Sequence, residues 1–149
     1  MEMSRPKSEI EVIARAVIAK GGRVLLARKK GADNTFLPGG HIEWGEPARL
    51  ALRRELREEL GLKIRIGAFL GAVEHAFGVE KRHTHELNFL FSAPGSALPG
   101  KVRSREPKLE FFWHPIRDLG SVNLQPHPLQ RLIPEMVRQK RPVWAGTME

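Results

Sequence analysis

At 149 residues the chain is long enough for one domain with a proper buried core. Its 41% hydrophobic and 28% charged composition is that of a globular protein, and no apolar run approaches the length of a membrane span. The absence of cysteine excludes disulfides, thiolate catalysis and cysteine zinc sites and suits a reducing cytoplasm, while a formal charge of +8 favours anionic partners such as nucleotides, nucleic acids or acidic membranes.

The opening MEMSRPKSEI carries charge but no apolar stretch, so it does not read as a secretory signal. Residues 10–18 (IEVIARAVI) and 23–28 (RVLLAR) are apolar and β-branched around Gly21-Gly22, which predicts a hairpin. KKGADNTFLPGG breaks the pattern and reads as a loop. A helix is expected from Pro47 to Leu60, with proline in its first turn, Gly61 as its left-handed cap, and Leu52, Leu56 and Leu60 as one apolar stripe. KIRIGAFLGAVEHAF and THELNFLFSA read as two strands joined by VEKRH. Ser92 to Lys108 is a long loop, functional or mobile. EFFWHPI reads as a short strand, and PHPLQRLIPEMVRQK as a second helix that Pro134 kinks or divides. Residues 1–9 and 141–149 are expected to be flexible or peripheral tails of a single domain spanning 1–149. The order of elements predicts an α/β fold, a mixed sheet with helices packed on its faces.

The stretch RRELREELGL holds a puzzle. Glu55, Glu58 and Glu59 crowd the end of the predicted helix, where carboxylates are unfavourable by about 0.3–1 kcal/mol each. Glu55 and Glu59 also form a like-charge pair four residues apart, which costs a helix roughly 0.2–0.5 kcal/mol. On a helical wheel the three lie in an arc of about 100° beside the leucine stripe. Gathered hard oxygen ligands suit Mg²⁺ or Mn²⁺, which would turn repulsion into attraction. Taken alone, the cluster reads first as a solvated face, with Arg54 pairing to Glu58.

The surrounding pattern decides between these readings. Residues 40–62, GHIEWGEPARLALRRELREELGL, place Gly40, Glu46, Arg54-Glu55-Leu56, Glu58-Glu59 and Gly61-Leu62 at set intervals. This resembles the signature of the Nudix hydrolases at every fixed position. The resemblance implies an α/β/α sandwich and the hydrolysis of a nucleoside diphosphate linked to another moiety. It implies Glu58 and Glu59 as principal Mg²⁺ ligands, with Mn²⁺ as a substitute, and Glu55 as a further ligand or the base that activates water. Arg54 would orient the glutamates, while Gly40, Glu46 and Gly61 would shape the loop–helix–loop. Members of this family often recruit another glutamate as ligand or base, for which Glu110 and Glu106 are the candidates, with Glu86 and Glu74 behind them. With no cysteine and no serine elbow, the expected reaction is direct attack by water.

Trp44, Phe36, Phe77 and Phe112 are candidates to stack on a base, although packing is the ordinary role of an aromatic. Arg28, with Lys29, Lys30 and the KVRSR segment, can meet substrate phosphates, and reads equally well as solvated loop charge. His83 and His85 alternate on a strand but lack a third ligand, so they read as surface or core histidines. The ADP-ribose type of this family tends to have a proline where this chain has Phe77 and Gly78. The tyrosine of the diadenosine polyphosphate type and the SQPWPFP element of the NADH type are absent. Nucleoside triphosphates, modified nucleotides, nucleotide sugars and capped or triphosphorylated RNA remain. An isoprenoid diphosphate isomerase on the same fold would need a cysteine. The alternative is a non-catalytic nucleotide- or RNA-binding module, which usually loses the glutamates that this chain keeps. The resemblance also makes a homodimer an expected assembly, with Trp144 as an interface anchor or a cover for the core.

Overall fold

Apolar residues on both faces of the first two strands build the centre of the sheet. In the computed structural model, which describes residues 9–78, 83–139 and 141–148, β1 (Ile10–Lys20) and β2 (Arg23–Lys29) form the expected hairpin. Gly21 and Gly22 both take positive φ, 57° and 75°, as a tight two-residue hairpin turn requires. Side chains alternate faces along a strand, so the run AVIAK divides itself between two cores. Ala14, Ala16 and Ile18 join one cluster, whereas Val17 joins the other.

The first cluster is closed by α1 (Ala48–Leu60), through Leu52, Leu56 and Leu60. The second is closed by α2 (Leu129–Gln139), through Leu129, Leu132, Ile133 and Met136. A helix on each face of one mixed sheet is the expected α/β/α sandwich. β3 (Gly39–His41), β4 (Phe69–Phe77), β5 (Thr84–Pro94), β6 (Leu109–Pro115) and β7 (Val143–Gly146) complete the sheet. Its order is β6-β2-β1-β5-β4-β7, with β3 paired to β1 off this path. The β1–β5 and β4–β7 pairs are parallel and the others antiparallel.

β1 shares one edge between two partners, β3 at Ile13–Arg15 and β2 only at Ala19 and Lys20. β2 therefore diverges from β1 and runs beside β6, and the segment predicted as a plain loop fills the divergence. Phe36 bridges to Ala27, and Thr35, fully buried, donates its hydroxyl to the Val122 carbonyl at 2.9 Å. Local composition could not show the Thr35 contact, because Val122 lies 87 residues away.

Three other expectations change. The long loop is not loose: β5 runs on to Pro94, a 3₁₀ turn follows at Gly95–Ala97, and Leu98 and Val102 are buried in the α1-side core. The 141–149 segment, expected as a tail, contributes β7 as an edge strand, with Val143 and Ala145 packed against the α2-side core. Pro134 lies inside α2 without dividing it, since four buried apolar side chains hold the helix to the sheet. A further 3₁₀ segment, Ile116–Val122, had no signal in the sequence. Residues 79–82, in the expected VEKRH connection between β4 and β5, and the first eight of the expected N-terminal tail lie outside those described.

Candidate active site

α1 begins at the expected proline, although Pro47 caps the helix rather than entering it, and ends at Gly61 with φ 69°. The Gly61 N–H donates to the Arg57 carbonyl at 2.8 Å. A Cβ at Gly61 would fall on the Arg105 guanidinium, so the glycine makes room for that cation as well as for its own backbone. The Arg105 N–H donates to the Glu59 carbonyl at 2.7 Å. The long loop thus brings positive charge and a hydrogen bond to a helix end that carries partial negative charge, and this offsets part of the acidic cluster's cost.

Arg54 is the hub of the site. Its Nε and Nη2 donate to Glu46 Oε2 and Oε1 at 2.7 and 2.9 Å, and Nη2 also reaches the His41 carbonyl at 3.1 Å. Its Nη1 donates to Glu55 Oε1 at 3.1 Å and to Glu58 Oε1 at 3.4 Å. These bonds hold the Glu46 carboxyl below the usual carboxylate range and raise the Arg54 guanidinium above its ordinary value. Glu46 fixes Arg54 from the loop side, and Arg54 fixes two glutamates on the helix. Glu55 lies against Gly40, where a Cβ would occupy the space of its carboxylate.

Glu59 is the odd member. Its Oε2 is buried and has no hydrogen-bond partner. Desolvation, with the Glu55 charge adding to it, pushes its carboxyl up to about 8, against the opposing pull of Arg15 and the Gly39 N–H. Among the described residues no three His, Cys, Asp or Glu side chains stand ready-made as a metal cluster, since Glu58 is turned toward Arg54 and solvent. The donor set still suits a divalent cation: hard carboxylate oxygens, one of them buried and unpartnered, under a glycine that leaves them room.

Glu55 and Glu59 line a cavity of about 750 Å³, together with Arg15, Glu86, His41 and Gly40. Phe36, Phe77 and Lys29 line it too, as do the amide side chains Asn34, Asn88 and Gln125. Burial raises the Glu86 carboxyl above its ordinary value, with Arg15 opposing. Burial likewise lowers the Arg15 guanidinium, against Glu86, Glu59 and Glu55. The Arg15 guanidinium also sits 5.3 Å from the centre of the Phe36 ring and donates to the Leu37 carbonyl at 3.0 Å.

The structure separates some candidates from this cavity. Glu110 pairs with Arg28 at 2.7 Å, and Arg28 lies over Phe112 at 4.9 Å, so this group is a cross-strand cluster outside the cavity lining. Glu106 closes a surface turn with Ser104 and Lys108. Trp44 is fully exposed at a turn and touches nothing that would hold a base in the cavity. His85 pairs with Glu74 at 3.2 Å and His83 is exposed. Of the reserve glutamates, Glu86 is the one that faces the cavity.

Sequence reading missed Arg15, Asn34, Asn88 and Gln125. A signal existed for Arg15, the one cation inside the apolar IEVIARAVI run. The pairing of Ile13 with Asn88 and of Glu11 with Glu86 then puts Arg15, Asn88 and Glu86 on one sheet face. Nothing local distinguished Asn34 or Gln125.

The NUDIX domain family model matches residues 9–139. Over 129 residues, 83% of this chain and 71% of the other, the chain is 28% identical to an ADP-ribose pyrophosphatase of Methanocaldococcus jannaschii. A shorter match, 38% identical over 80 residues, links it to a CTP pyrophosphohydrolase of Escherichia coli, of which it covers 58%. Among solved structures, a MutT NUDIX hydrolase from Burkholderia pseudomallei aligns with a TM-score of 0.69 at 30% identity, covering 87% of this chain and 99% of that one. With the motif, the sandwich and the Arg54-centred carboxylates in place, the chain belongs to the Nudix family of hydrolases.

Proposed function

We propose that the chain hydrolyses the phosphoanhydride bond of a nucleoside triphosphate or a related nucleoside diphosphate derivative, with Glu55, Glu58 and Glu59 holding Mg²⁺. Mn²⁺ is a substitute on the same oxygen ligands. The observation that carries this reading is the buried, unpartnered Glu59 oxygen beside Glu55 in the cavity wall. When bound, the cation neutralises charge on phosphoryl oxygens and acidifies water.

The chain's own residues supply the rest. Arg15 and Lys29 place positive charge in the cavity for the phosphates. Phe36 and Phe77 offer flat apolar faces to a base, while Asn34, Asn88 and Gln125 offer both donors and acceptors to its edge. Glu86, whose carboxyl burial already lifts, is the residue outside the motif best placed to take the proton of the attacking water. Arg54 is a positioning residue, acting through the carboxylates it grips.

The relatives support a nucleotide substrate without choosing one, since their names cover ADP-ribose, CTP and 8-oxo-dGTP. RNA 5′ ends remain in the class, as one relative is named an RNA pyrophosphohydrolase. The amide-lined cavity favours a substrate whose base is read directly. No helix among the described residues is long and apolar enough to cross a membrane. A cytoplasmic location fits the lack of cysteine. A homodimer fits the half-exposed Trp144 on the edge strand β7.

The test is a Mg²⁺-dependent hydrolysis screen across nucleoside triphosphates, oxidised nucleotides, nucleotide sugars, dinucleotides and 5′-triphosphorylated RNA, with Glu58→Gln as control. Turnover of one class that the control loses supports the proposal. Silence across the panel while Mg²⁺ still binds favours a binding module instead.

A further inference from the structure

The outer edge of α1 carries a feature that catalysis does not use. Arg49, Arg53 and Arg57 recur every fourth residue and are all exposed. Like charges at this spacing are unfavourable in a helix. On the helical wheel they centre on the side opposite Glu55, Glu58 and Glu59. The chain leaving the helix adds Lys63 and Arg65, also exposed.

Arg49, Arg53, Lys63 and Arg65 together line a groove of about 430 Å³, and no carboxylate lines it with them. Among the described residues none of these cations, nor Arg57, makes an ion pair. Arg28 and Arg54, by contrast, are both paired. Arg49 is also held in place: its Nε donates to the Gly67 carbonyl at 3.2 Å and its guanidinium lies 4.9 Å from the Phe91 ring centre. The helix repeats its arginines about every 6 Å, four residues at 1.5 Å rise, a spacing suited to successive phosphates of an extended strand. The cations line a concavity rather than a flat face, and Leu50 is its one exposed large apolar residue, so a narrow polyanion fits better than a lipid surface.

We propose that this groove binds the phosphodiester backbone of a single-stranded nucleic acid, independently of the catalytic cavity. Contacts of this kind carry little base preference and weaken steeply with salt.

The test is fluorescence anisotropy with a short labelled oligouridylate bearing a 5′-hydroxyl, measured across a salt series. Using Glu58→Gln protein throughout removes any dependence on hydrolysis, so the proposed activity can fail while this proposal stands. Arg53→Glu/Arg65→Glu is expected to weaken binding at least about tenfold and to reduce the log–log salt slope by about 1.4, the equivalent of two lost contacts. Arg131→Glu/Arg138→Glu makes the same change in net charge on α2 and is expected to shift binding less than about threefold. Should circular dichroism show that the reversal disturbs folding, Arg53→Gln/Arg65→Gln gives the reading. Equal losses from the two charge-matched pairs would mean that net charge alone attracts the strand, and the site would be wrong. Absence of salt-dependent oligouridylate binding, or binding only to phosphatidylserine vesicles, overturns it as well.

Discussion

The Arg54 guanidinium and the Glu46 carboxylate meet through two parallel hydrogen bonds, at 2.7 and 2.9 Å, across the junction between the motif loop and its helix. Loop and helix are thereby set against each other before any substrate arrives. Lysine cannot reproduce the fork. Arg54→Lys is expected to lower kcat about 10–100-fold, the usual effect of removing a group that orients metal ligands. Steady-state kinetics with Mg²⁺ titration checks this, and an unchanged kcat would show that Arg54 has no positioning role.

Gly40 is expected to be irreplaceable for a different reason. A Cβ there meets the Glu55 carboxylate, a movable side chain, rather than backbone. Gly40→Ala should therefore keep most of its thermal stability while losing about tenfold or more in Mg²⁺ affinity. Differential scanning fluorimetry and calorimetric Mg²⁺ titration separate the two effects. Gly61→Ala should behave in the opposite manner, losing about 1 kcal/mol or more of stability because its backbone is left-handed.

The pH dependence has a definite sign. The Glu59 carboxyl is raised in the folded chain, from the ordinary 4.5 to about 8, so the unfolded chain ionises first as pH rises. Its contribution to stability is present below 4.5 and is lost progressively up to about 8. Glu86, raised by burial, adds a loss of the same sign. Glu46 is depressed by Arg54, so its contribution holds above 4.5 and disappears as pH falls through its lowered value. Mg²⁺ binding at neutral pH should then release protons from Glu59, seen as an apparent enthalpy that changes with the ionisation enthalpy of the buffer. Identical enthalpies in phosphate and Tris would contradict this.

Glu86 and Glu110 were both candidates for an additional acidic role, and their surroundings now differ. Glu86→Gln is expected to lower kcat by about 10²–10⁴-fold if its carboxylate takes a proton in the rate-limiting step. Glu110→Gln, which disturbs only the Arg28 pair outside the cavity, should leave kcat within about twofold, since partly exposed ion pairs contribute little. The reverse order would reassign the base.

Aromatic roles divide in the same way. Phe36 lines the cavity beside Arg15, whereas Trp44 stands in solvent. Phe36→Leu keeps bulk but loses the flat face and should raise KM at least about fivefold, within the range of base stacking. Trp44→Ala should leave KM for a mononucleotide unchanged. A rise in KM for Trp44→Ala alone would place the base on the motif loop.

Much of this protein was legible along the chain. The Gly21-Gly22 hairpin, the capped α1 with its leucine stripe, and the spacing of the motif all rest on interactions between residues close in sequence. Hydrogen bonds, side-chain periodicity and backbone freedom at this range depend on little else. Helical geometry puts Glu55, Glu58 and Glu59 on one edge whatever the helix packs against, and the resemblance of residues 40–62 to the Nudix signature is what named them as ligands.

Only the tertiary structure decided what surrounds that edge. Glu86 joined the cavity, and Glu110 did not, through strand register across β1, β5, β2 and β6. The edge strand β7, the anchoring of the long loop by Arg105, and the burial that lifts Glu59 likewise depend on partners distant in sequence. Register, desolvation and loop docking are properties of the assembled sheet, because each needs two segments to meet before it exists.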